Sequence, residues 1–173
     1  GPNPSAVPPA MSPELRERPA RTRPAPAVKP VDDRLAQCMA RAQTEPQAAV
    51  SAAQAMLDTP GARPSPEVRV QALLCRGLAR SELGQLVEAE ADFSAARDAT
   101  PPGEAGLRAR LGALAANAML AQGRPADALA LLDIAGAEAR TAGNAALAGG
   151  IEIDRARALV PLKRDAEAVQ ALA

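Results

Sequence analysis

The chain has 173 residues, of which 44 are alanine and a single one, Phe93, is aromatic, with 20 basic against 20 acidic side chains and no histidine. A core without aromatics must be built from Ala, Leu and Val, which suit closely packed helices better than strands, so an all-α protein is expected. Lack of histidine removes the usual neutral-pH acid, base and metal ligand, and balanced charge without stacking platforms argues against nucleic acid. What is left is a non-catalytic binding or scaffolding protein with no metal and no cofactor.

Residues 1–31 hold nine of the 17 prolines together with Arg16, Arg18, Arg21, Arg23 and Lys29. That proline density precludes a helix and supplies little apolar surface, which predicts a disordered Pro/Arg-rich linker. It opens on Gly1-Pro2, which reads as the scar of a tag-cleaving protease, and the chain reads as an excised piece of a longer protein. No apolar run reaches the ~18 residues needed for a membrane span.

From Asp32 onward helical periods are punctuated by Pro and Gly. Asp32 or Asp33 caps a first helix to about Thr44, and Pro46 opens a second that runs to Asp58, before the breaker Thr59-Pro60-Gly61. Ser65-Pro66-Glu67 starts a third helix, ended by Gly84. A fourth runs from Leu86 to Ala99, a fifth from Glu104 to Gln122, a sixth from Pro125 to about Thr141, and a seventh from Asn144 to about Val160. The eighth begins near Asp165 and is unfinished at Ala173. Paired, they give four hairpins, about 32–59, 65–100, 103–142 and 144–173, the last cut short.

These hairpins repeat. Ala49, Ala89, Ala128 and Ala168 fall in register at spacings of 40, 39 and 40, and the inter-helix turns then coincide at Thr44, Gly84, Gly123 and Lys163. The position four residues after each alanine is Ala53, Phe93, Leu132 and Leu172. A hairpin of this kind cannot bury its apolar face alone, so stacking on neighbours makes the core.

The second hairpin resembles the tetratricopeptide repeat. Gly77 stands at the small position where the two helices approach, Leu83-Gly84 at the turn, Ala89 and Ala96 at the small contacts, Phe93 at the aromatic and Pro101 at the terminal proline. Leu73 replaces a frequent Trp and Arg80 a frequent Tyr. The third hairpin keeps Ala116, Gly123, Ala128 and Ala135, the fourth Ala156, Ala168 and Leu172, and the first Ala49. Family repeats run about 34 residues, so a period near 40 implies longer helices or linkers. The resemblance implies a right-handed solenoid of stacked hairpins, whose first helices line a concave groove for a protein or peptide partner.

Counted from the aligned alanines, the groove-facing candidates are Arg34, Arg41, Gln71, Leu78, Glu82, Arg110, Ala113, Asn117, Ile153 and Arg157. Arginine dominates their polar subset, which predicts a mildly basic groove for an acidic partner gripped bidentately. The family's carboxylate clamp is incomplete: Arg34 and Arg110 fall on basic positions, but Cys38 and Cys75 replace its asparagines and Leu114 its last arginine. The acidic pair Glu88 and Asp92, at i and i+4, reads as a solvated helix face.

Cys38 and Cys75 lie on first helices of adjacent hairpins, where they form either a disulfide or two buried thiols. The arrangement resembles exported alphaproteobacterial repeat proteins with one Cys in each of the first two hairpins, which implies a periplasmic or envelope location, with the cytoplasm as the alternative. A second expectation concerns self-association. Ile153, Val169 and Leu172 leave the last hairpin without a polar cap, so another copy or further chain would cover it.

Overall fold

The computed structural model describes residues 33–173; the Pro/Arg-rich segment 1–31 lies outside the described residues. Among the described residues there are eight helices and no strand: α1 (Asp33–Arg41), α2 (Pro46–Leu57), α3 (Pro66–Glu82), α4 (Leu86–Ala99), α5 (Ala105–Ala121), α6 (Pro125–Thr141), α7 (Ala145–Leu159) and α8 (Asp165–Ala171). The fold is all-α. None of these helices is long and apolar enough to cross a membrane.

Local chemistry sets the boundaries. Pro46, Pro66 and Pro125 occupy first turns, where their fixed φ suits the helix and no amide proton is missed. The Ser65 hydroxyl accepts from the Val68 amide at 3.3 Å and the Asn144 side chain from Leu147 at 3.0 Å, each satisfying one free donor of a helix start. Three of the four turns within hairpins close on a left-handed residue: Gly84, Gly123 and, without glycine, Lys163 at φ 58°. Thr44 does not adopt that conformation, so the first hairpin turns differently. The eighth helix is shorter than expected and closes at Ala171.

Each helix packs on the next, and α1 also meets α3, as α5 meets α7. Three buried clusters succeed one another along the chain. Leu35, Cys38, Met56 and Cys75 lie in the first, Leu74, Phe93 and Leu111 in the second, and Leu132, Ile151 and Leu159 in the third. The aligned alanines Ala49, Ala89 and Ala128 are fully buried and Ala168 nearly so. A Cβ added at Gly77 would stand 2.6 Å from the Phe93 ring, so the ring occupies the space that this glycine leaves.

One expectation is overturned. Asp92 is only 3 % exposed and does not belong to a solvated face. Arg76 donates to both of its carboxylate oxygens at 2.7 and 3.0 Å, and Arg80 adds a third bond at 3.0 Å. Arg76 also donates to the Gln54 side chain, so α2, α3 and α4 are joined through its guanidinium. A second network ties α4, α5 and α6: Arg97 and Arg108 both hold Glu138, at 2.7 and 3.0 Å.

Candidate functional site

The first helices of three hairpins converge on a depression of about 520 Å³. Met39 of α1, with Ala42 and Gln43 just after it, forms one side; Leu78, Ser81 and Glu82 of α3 form the middle; Arg110, Leu114 and Asn117 of α5 form the other side. Phe93 of α4 also lines it. Residues 78, 81 and 82, and 110, 114 and 117, are three or four apart, so each set shares one face of its helix.

Four of the predicted groove residues therefore come together: Leu78, Glu82, Arg110 and Asn117. The rest are placed elsewhere. Arg34 lies exposed in the first turn of α1, and Arg41 is turned to Glu45 at 3.5 Å, an i,i+4 pair on the surface. Gln71 lines a smaller hollow of about 170 Å³ between the start of α3 and the α4–α5 connection. Arg157 is held by Asp154 at 3.3 Å and reaches the rim of the depression only through Asn117, to which it donates at 3.4 Å. Ala113 is core, not groove, packed with Ala109 and Ala116. The depression thus presents one arginine and one glutamate and is charge-balanced rather than basic, because neighbouring acids take up Arg41 and Arg157.

Arg110 and Glu82 differ from these neighbours: among the described residues neither side chain has a hydrogen-bond or ion-pair partner. Most other cations belong to the fold. Hydrogen bonds to Asp127 and Glu90 raise the pKa of Arg124, in the α5–α6 turn. Partial burial works against the charge of Arg155, but hydrogen bonds to Asp133 and Glu152 outweigh it and raise that pKa too. Met39, Gln43, Ser81 and Leu114 were not among the sequence candidates. Two of them, Ser81 and Leu114, sit three and four residues after Leu78 and Arg110, which is the signal that would have found them.

Cys38 and Cys75 are joined as a disulfide, with Cα atoms 6.2 Å apart, and link α1 to α3 beside the depression. The bond excludes both residues from any polar clamp.

A second, apolar hollow of about 350 Å³ lies between α7 and α8, lined by Ile153, Val160, Val169 and Leu172 among others. Each of these four is more than half exposed. Compared with family models, curated proteins and solved structures, the chain matches none.

Proposed function

We propose that the chain is a non-catalytic protein-binding scaffold or adaptor, a solenoid of tetratricopeptide-like hairpins that takes a peptide or partner segment in the depression between α1, α3 and α5. The observation that carries this reading is the pairing of an apolar lining (Met39, Leu78, Leu114 and Phe93) with two charged side chains, Arg110 and Glu82, that nothing in the fold engages. An Arg without a partner at the edge of an apolar hollow suits a carboxylate next to an apolar side chain, since a charge-assisted hydrogen bond fixes what burial attracts. The period near 40, the buried alanines in register and the Gly77–Phe93 contact support the repeat assignment. A fully buried disulfide favours an oxidising compartment, in keeping with the periplasm or cell envelope.

Selection of a random peptide display library on the immobilised 173-residue chain tests this reading. Peptides pairing an acidic with an apolar residue are expected to be enriched, and to bind Arg110→Ala about tenfold more weakly, the loss of one charge-assisted hydrogen bond. No enrichment, or equal binding to the variant, overturns it.

The four exposed apolar side chains of the α7–α8 hollow favour a second reading, in which this end of the protein packs on another copy or on further chain. Light scattering separates the two: Val169→Asp should abolish any dimer and leave peptide binding unchanged.

A further inference from the structure

We propose that the Cys38–Cys75 disulfide is a redox gate on the depression: with the bond intact α1 stays seated as one side of the groove, and reduction by a dithiol releases α1 and removes that side. The inference rests on the reading of the depression as a binding site and names its regulation.

The helix on which the gate acts is weakly held. Of the nine residues of α1, only Leu35 and Cys38 are buried, and six are exposed. A helix this short is unstable in isolation, since isolated helices below about 12–15 residues are marginal in water. Its main tertiary contacts are with α2 and α3. The rest of the depression needs no help from α1. Leu74, Phe93 and Leu111 knit α3, α4 and α5 into a buried cluster to which α1 contributes only the partly buried Met39. Loss of α1 would therefore displace Met39, Ala42 and Gln43 and leave the α3 and α5 faces standing.

Both sulfurs are fully buried, so a reductant reaches them only when α1 lifts away. A thiolate of the dithiol then attacks one cysteine sulfur; the S–S bond breaks and the other cysteine leaves as a thiolate. The second thiol of the reductant closes its own disulfide and frees the first cysteine. Two electrons pass from the dithiol to the protein, and two protons end on Cys38 and Cys75. Once reduced, α1 has no covalent tie to α3 and is held only by its packing and by the short backbone link to α2. Oxidation reverses the step, so the groove is completed only where the disulfide can form.

Hydrogen exchange followed by mass spectrometry on the 173-residue chain, oxidised, reduced with dithiothreitol, and as the Cys38→Ala/Cys75→Ala variant, tests the gate without any ligand. Amides of α1 should exchange at least tenfold faster in the reduced chain and in the variant, while α5, α6 and α7 keep their protection. Equal protection of α1 in all three forms overturns the gate, and so does a uniform loss across α3 to α7, which would be unfolding. Leu35→Ala, which loosens the seat without touching sulfur, should speed reduction several-fold; an unchanged rate overturns the opening step. A peptide from the display selection should bind the reduced chain at least tenfold more weakly and recover on reoxidation. Equal binding to a chain whose α1 is shown to be free ends the gate and spares the binding site, whereas no peptide binding to the oxidised chain ends the binding site itself.

Discussion

The α3–α4 and α7–α8 hairpins share a register, yet the same positions do opposite things in them. In α3–α4, the residue four after the aligned alanine is Phe93, 1 % exposed, fitted into the space left by Gly77. In α7–α8 it is Leu172, 61 % exposed, just beyond the end of its helix. The α3–α4 hairpin also has a buried carboxylate gripped by two arginines and a glycine in its turn. The α7–α8 hairpin has an apolar hollow on its surface and a lysine in its turn. A repeat register therefore fixes where a side chain points but not how much it stabilises, which depends on whether a neighbour covers it.

The largest expected effect measures that difference directly. Phe93→Ala removes a buried ring from the middle cluster and should cost about 4 kcal/mol, as aromatic truncations in cores do. The matched truncation Leu172→Ala should stay within about 0.5 kcal/mol, because an exposed side chain has little to lose. Urea denaturation of both variants checks the pair. Similar costs would show that Leu172 is covered in solution, and would break the comparison in favour of an assembly through α7 and α8.

The next effect concerns the buried charge. Asp92→Ala leaves Arg76 and Arg80 facing one another with their common partner gone, and should cost about 3 kcal/mol. An exposed carboxylate, as the i,i+4 spacing to Glu88 predicts, would cost almost nothing on the same measurement.

That residue also shows what could and could not be read in advance. The helix ends were legible because Pro46, Pro66, Pro125, Gly84 and Gly123 act locally, through fixed φ, missing amide protons and left-handed turns. The aligned alanines were legible because helix–helix approach requires small side chains at a fixed period. Asp92 was not, because the arginines that bury it come from 12 and 16 residues away on another helix. The depression was legible in part for a similar reason. Counting along the repeat placed Leu78, Glu82, Arg110 and Asn117 on the helix faces that line the depression, but which arginines remain without partners depends on acids such as Glu45 and Asp154. Their approach is a matter of packing and rotamer, not of spacing.

The smallest effect sharpens the comparison at the turns. Lys163 holds φ at 58°, in the region where a Cβ crowds the following carbonyl, at a cost of about 1 kcal/mol or more. Its counterpart Gly84 holds φ at 72° with no atom within 4 Å of where a Cβ would stand, so there the cost of a side chain is purely conformational. Lys163→Gly relieves the crowding and gives back part of the gain, about 0.5 kcal/mol, through the greater freedom of glycine in the unfolded chain. A net stabilisation of about 0.5 kcal/mol is expected for Lys163→Gly, and by the same two terms reversed a loss of about 0.5 kcal/mol for Gly84→Ala. Opposite signs in the two thermal midpoints would show that the hairpins share a turn geometry and differ in how well their sequences fit it. A destabilised Lys163→Gly would instead mean that the lysine side chain makes a contact that outweighs the strain of its backbone.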